Sequence, residues 1–256
     1  MLVAENKETR QKYFPSISGK IIEIEDNKDK IICPFCKEKV IFVCGKYKIA
    51  HFRHYIESEC SPEPETEEHL NMKKFFIDKL NLTEDQVEFN LGFAKPDIFL
   101  KEKRIAIEVQ HSPISEEKFL ERTANYSKRG IYVLWIFDSC LYKERVSALL
   151  RKAHELYFGR VYFFMNGTIM PVHFKSKTVW VEEKEIPVFV DFEEYAQNGF
   201  EPVYERVGGY EKTLKTKKEL EFGKEIENVK VILCTKNTWR NNNYLIAKFN
   251  DFKFWK

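Results

Sequence analysis

The stretch that decides the reading is KPDIFL at residues 95–100, then KEK at 101–103 and RIAIEVQ at 104–110. Paired as a hairpin closed near Glu102-Lys103, it sets Asp97 opposite Glu108, Ile98 opposite Ile107, Phe99 opposite Ala106 and Leu100 opposite Ile105. Side chains alternate along a strand, so Ile98, Leu100, Ile105 and Ile107 share one face and Asp97, Glu108 and Gln110 the other. Two carboxylates facing each other at about 5 Å repel, and a hard divalent cation between them removes the conflict. Mg²⁺ or Mn²⁺ held by Asp97 and Glu108 would activate a water and stabilise charge on a scissile phosphate. Gln110, one alternation further, is placed to orient a water. The plain alternative is a solvated hairpin, which sits badly with Glu108 inside the apolar run Ile105–Val109.

Downstream, Ser115 opens a helix expected to run to about Lys128, and Gly130 ends it. The continuous apolar run Ile131–Phe137 suits a strand buried on both faces. A helix over about 141–158 and a strand over Val161–Met165 follow. Upstream, Thr66 caps a helix to Leu80 whose apolar stripe is Leu70, Phe76, Ile77 and Leu80. A long strand is expected over Val87–Leu100. The order α-β-β-α-β-α-β predicts an α/β class, with a mixed sheet flanked by helices. Short strands are expected at Ile21–Glu25, and after Asn166-Gly167 at Thr168–Phe174, Thr178–Val181 and Pro187–Asp191, with further apolar runs at Val229–Cys234 and Tyr244–Phe249.

Four of the six cysteines fall between Cys33 and Cys60. Cys33-Pro34-Phe35-Cys36 is a CxxC knuckle, and His51-Phe52-Arg53-His54 follows fifteen positions later. Cys33, Cys36, His51 and His54 make a four-ligand set for a closed, structural Zn²⁺ site. Cys60 is an alternative to either histidine. An acidic, proline-containing connector (Glu57, Glu59, Pro62, Glu63, Pro64, Glu65) marks a boundary. The expected division is a zinc-binding element at 1–62, a core at 63–166 and a β-rich region at 167–256.

Net charge is +2, so composition alone does not select nucleic acid. The distribution is more informative: Arg206 to Lys256 carries twelve Lys/Arg against six Asp/Glu, a basic end able to bind phosphates or a plain solvated face. No apolar run reaches the roughly 20 residues of a membrane helix, and the N-terminal MLVAENKETRQKYF has no signal core, so a cytoplasmic protein is expected. His69 and Lys73 share a helix face and either point at a phosphate or form a surface pair. Arg122, spaced i,i+4 from Tyr126, either grips a phosphate or packs its stem on the tyrosine. Cys140 and Cys234 read as small buried hydrophobes, and His111, set on the other face by alternation, is assigned no chemistry.

Pro96-Asp97 with Glu108-Val109-Gln110 resembles the PD-(D/E)xK nuclease superfamily, and the segment Ile105–Phe137 looks like the core of the competence protein CoiA-like family. That family's CxxC and HFxH pairs are matched by Cys33, Cys36, His51 and His54, and its helical Glu-His and Lys by Glu68, His69 and Lys73. The resemblance covers about residues 30–165. It implies a restriction-endonuclease-like α/β/α core, Asp97 and Glu108 as metal ligands, Glu68 as an auxiliary acid, and a role in handling single- or double-stranded DNA, including recombination of incoming strands. Gln110 stands where the superfamily's motif has lysine and brings no positive charge. Two functions therefore fit these residues: a metal-dependent deoxyribonuclease, and a catalytically inactive DNA-binding recombination accessory.

Overall fold

The computed structural model describes residues 1–46, 48–55, 66–141 and 147–180 and, toward the C-terminus, 205–207, 210–212, 214–222, 225–226, 230–237 and 243–249. Contacts divide it into one unit of residues 1–172 and 223–256 and a second of 173–222.

The first unit begins with a three-stranded antiparallel sheet of β1 (Ala4–Asn6), β2 (Lys12–Tyr13) and β3 (Ile31–Ile32), with β1 central. Two short helices, α1 (Pro15–Ser18) and α2 (Ile21–Asp26), lie between β2 and β3. The expected strand at Ile21–Glu25 is therefore a helical turn and a half: Ile24 is buried while Ile22 is exposed. Its run of isoleucine and glutamate satisfies either periodicity over so short a span. A hairpin of β4 (Val40–Gly45) and β5 (Lys48–His54) follows. Tyr13, Ile24, Ile31, Val40 and Phe52 form a small core with Cys33 buried among them.

Helix α3 (Glu67–Leu80) starts where Thr66 accepts a hydrogen bond from the His69 N–H, with two acidic residues in its positive first turn. It buries Leu70, Met72, Phe76 and Ile77. Next come β6 (Ile98–Leu100) and β7 (Ile105–Gln110), antiparallel in the register read from the sequence: Ile98 with Ile107, Phe99 with Ala106, Leu100 with Ile105. The expected strand from Val87 shrinks to β6 and a single bridge between Val87 and Ile98. Gly92 (φ +82°) and Glu88 (φ +48°) both adopt left-handed backbone, which breaks an extended run.

Helix α4 (Glu116–Ser127) is capped by Ser115, as expected, and leads to β8 (Tyr132–Asp138), which runs parallel to all of β7. Helix α5 (Ala148–Leu156) is shorter than expected and capped by Ser147. Strand β9 (Val161–Met165) returns parallel to β8 and turns at Asn166-Gly167 (both at positive φ) into the antiparallel β10 (Thr168–Trp180). Where two short strands were expected between 168 and 181, β10 is continuous. In the second unit, β11 (Glu205–Val207) and β12 (Tyr210–Lys212) form a hairpin and β13 (Leu214–Phe222) pairs with β10. Pro187–Asp191 lies outside the described residues.

Two strands from the C-terminal end of the described residues also enter the central sheet. Strands β14 (Val231–Asn237) and β15 (Asn243–Phe249) are antiparallel, and β15 lies parallel to β8 at Ile246 and Val133. Thus β8 has β7 on one edge, with β15 and then β9 on the other, and all of Val133–Phe137 is buried. The result is a mixed α/β structure with few helices. Among the described residues no helix is long and apolar enough to cross a membrane.

Candidate functional site

The sheet ends where β6 begins and β7 finishes. Asp97 lies one residue before β6, and its backbone carbonyl accepts from the Glu88 N–H at 2.9 Å. Continuing the β6–β7 register sets Pro96 against Val109; there the Asp97 carboxylate takes the ladder position, its Oδ2 accepting the Val109 N–H at 2.9 Å. Its other oxygen is 2.9 Å from the Lys73 ammonium and 3.5 Å from His69 Nε2. Burial pushes the Asp97 carboxyl up, but the charges of Lys73 and His69 outweigh it and hold the group below the ordinary carboxylate range.

Glu108, only 2% exposed, turns toward α4. The Tyr126 hydroxyl donates to Oε1 and the Arg122 guanidinium to Oε2, each at 2.6 Å. Burial raises the carboxyl above its usual range; Arg122 offsets part of that and the negative charge of Asp97 adds to it. The two acids therefore feel each other, although each is gripped by a different helix. One Asp97 oxygen is also engaged by the edge of β7, at the Val109 N–H.

Lys73 is the hinge of the arrangement. It is 1% exposed, and its ammonium reaches Glu88 Oε1 at 2.8 Å as well as Asp97. The same Glu88 oxygen accepts the Leu2 N–H at 2.9 Å, so this glutamate ties the first strand region to α3. The surface-pair alternative for Lys73 is excluded by its burial. Arg122, expected on a phosphate or against Tyr126, instead pairs with Glu108, and its guanidinium lies 4.8 Å from the Trp135 ring centroid. Trp135 in turn donates from Nε1 to the Thr123 hydroxyl and packs on Phe119, fixing α4 against β8.

Glu68 is exposed on the first turn of α3, and its charge acts on Cys140. It is not brought onto Asp97 or Glu108 by any described hydrogen bond or ion pair. Gln110 is buried and donates from Nε2 to the Ser112 carbonyl at 2.7 Å, bracing the loop after β7. Glu88 was missed in the sequence; the available signal was a glutamate between Val87 and Phe89 at the mouth of the apolar hairpin.

At the knuckle, Cys33, Cys36 and His54 converge, their ligand atoms all within 4.8 Å of one another. Cys36 Sγ is 3.2 Å from His54 Nε2, and the Phe35 N–H points at Cys33 Sγ at 3.4 Å. Lys37 at φ +66° closes the turn, with its N–H on the Cys33 carbonyl. His51 stays apart, and its Nδ1 lies 2.7 Å from the Ile49 carbonyl oxygen. The reason is periodicity: His51 and His54 lie three apart on β5, so they point to opposite faces. Cys60 and the acidic connector lie outside the described residues.

Two other expectations change. Cys140 is exposed rather than buried, and Cys234 is only half-buried. His111 lies at 3.0 Å from Asp138.

The family model for the nuclease-like domain of competence protein CoiA matches residues 65–186, and that for its N-terminal domain matches residues 18–63. A curated relative, the competence protein CoiA of Bacillus subtilis (strain 168), is 27% identical over 127 residues, which is 46% of this chain and 34% of the relative. The chain thus aligns with about a third of that relative's length. No solved structure matches. With the knuckle inside one model, the Asp97–Glu108 site inside the other, and the two adjoining, the chain belongs to the competence protein CoiA-like family.

Proposed function

We propose that the chain is a metal-dependent nuclease acting on DNA through Asp97 and Glu108, in a core of the restriction-endonuclease-like α/β/α kind. The observation that carries the reading is a buried carboxylate, Glu108, and a largely covered one, Asp97, interacting electrically on adjacent strands, each matched by a cation from a different helix. Perturbed, buried acids at a strand end are what a phosphoryl-transfer site needs, whereas a purely structural sheet gains nothing from them.

The donor set fits a hard cation: two carboxylates with oxygen ligands, whose mutual repulsion a divalent ion relieves. Asp97 and Glu108 would hold Mg²⁺ or Mn²⁺, which supplies water activation and neutralises charge on the phosphate. The protein's own contribution is positioning and charge. Lys73 stands against Asp97 and supplies, from α3, the positive charge that Gln110 does not. Arg122 faces Glu108 from α4, remains one-third exposed at its side chain, and offers a guanidinium fork to a phosphate. Gln110 braces the loop at Ser112, and Glu68 stands at the rim as an auxiliary acid.

Zn²⁺ at Cys33, Cys36 and His54 would staple the N-terminal element. The thiolate pair on a tight turn with one imidazole fits that ion, and Cys60 is the fourth ligand of choice now that His51 faces away. In this reading residues 1–62 form the zinc element and 63–166 the nuclease core, with β15 from the region 167–256 completing its sheet; the protein works in the cytoplasm on single- or double-stranded DNA. A catalytically inactive DNA-binding accessory is the second reading, favoured by one observation: every oxygen of Asp97 and Glu108 already has a protein partner.

Cleavage of single- and double-stranded DNA and RNA with Mg²⁺, Mn²⁺ or EDTA, alongside Glu108→Gln, decides between them. Metal-dependent cutting lost in the variant is the expected result. Salt-sensitive binding without cutting, unchanged in the variant, selects the accessory.

A further inference from the structure

Strands β7 and β8 run parallel and end together, and their C-terminal ends carry three chemically matched side chains. His111 follows Gln110, Asp138 ends β8, and Cys140 lies in the short helical turn Ser139–Leu141. The Cys140 N–H occupies Asp138 Oδ1 at 2.8 Å, which leaves Oδ2 facing His111 Nδ1 at 3.0 Å. Cys140 Sγ is 3.8 Å from the same Nδ1 and 3.5 Å from the His111 carbonyl oxygen. The ligand atoms of the three residues lie within 4.8 Å of one another.

We propose that His111, Asp138 and Cys140 form a second transition-metal site, for an ion of the zinc class. A tetrahedral ion with bonds of about 2.3 Å to sulfur and about 2.0 Å to nitrogen and oxygen sets its ligands about 3.6 Å apart for sulfur–nitrogen and about 3.3 Å for nitrogen–oxygen. The observed 3.8 and 3.0 Å straddle those edges. A mixed thiolate, imidazole and carboxylate set selects Zn²⁺ or Co²⁺ over Mg²⁺, so this site and the Asp97–Glu108 pair would take different ions. The cluster opens to solvent: Cys140 is exposed and His111 only partly covered. An ion there would pin the loop after β7 to the turn after β8, beside the Gln110–Ser112 brace.

The test is metal content of the full chain after incubation with Zn²⁺ in excess Mg²⁺ and gel filtration, repeated by optical titration with Co²⁺. His111→Ala and Cys140→Ser change partly exposed side chains and leave the buried core intact. Each is expected to hold one ion fewer than the wild type and to lose one thiolate-to-cobalt band. Cys36→Ser is expected to lose a different ion, so the two sites are counted separately. Zinc content equal to wild type in either His111→Ala or Cys140→Ser overturns the proposal and leaves a His–Asp hydrogen bond beside an unligated thiol.

Discussion

Replacing Lys73 by methionine isolates the charge that holds the site together. The ammonium lies 2.8 Å from Glu88 and 2.9 Å from Asp97, fully buried. At these separations and an effective dielectric of about 20, each pair represents about 6 kcal/mol of gross attraction. Desolvation cancels most of that, and removing one partner of a buried pair costs about 3–5 kcal/mol because the other charge is stranded. Here two carboxylates are stranded, so a loss at the upper end, about 5 kcal/mol, is expected by urea unfolding at neutral pH. The pH dependence has a definite sign. In the wild type the Asp97 carboxyl is held low, so it contributes stability above the unfolded carboxylate value and loses it as pH falls. Without Lys73, burial prevails and the carboxyl rises, so its folded form is favoured by protonation. The deficit of Lys73→Met should therefore shrink as pH falls from neutral toward the carboxylate range. Adding Glu88→Gln should recover part of the loss, a coupling that independent sites do not show. A deficit under about 1 kcal/mol, or one of equal size at both pH values, refutes this account of the network.

Tyr126→Phe removes one hydrogen bond to the buried Glu108 carboxylate and is expected to cost about 1.5–3 kcal/mol in urea unfolding. Leu150→Ala empties a fully buried position of α5, away from the acids, and should cost about 2–5 kcal/mol while leaving cleavage per folded molecule unchanged. Removing zinc with a chelator should lower the Tm of the wild type, whereas Cys36→Ala should begin lower and respond less, as differential scanning calorimetry will read directly.

The parts legible in the sequence are those where one local rule dominates. Ser115 and Thr66 cap helices with the side-chain hydrogen bonds their identity implies, and the apolar run Ile131–Phe137 is the doubly covered strand β8. The β6–β7 register follows from hydrophobic alternation alone. What stayed hidden depends on long-range placement. Glu88 matters because its left-handed backbone turns it onto Lys73 and the Leu2 N–H, more than fourteen and eighty residues away. His111 and Asp138 meet only because β7 and β8 end level, and β15 reaches β8 from the far end of the chain. His51 and His54 illustrate the opposite error: a spacing read as a ligand pair is valid on a helix or turn, but on the strand β5 it splits the rings between faces.

The placement of positive charge bears on why Gln110 is compatible with an active site. A lysine two residues after Glu108 would lie on the same face of β7, where Arg122 already occupies the carboxylate from α4. The cation facing Asp97 comes instead from the middle of α3, where it is buried and doubly paired. The charge balance of the site is thus met by two helices rather than by the strand that carries the motif. Under the proposed nuclease function, α3 and α4 would belong to the chemistry and not only to the packing. Any change that shifts α3 along β7, including one in the Thr66 cap, then acts on Asp97 through Lys73 without touching the acids themselves.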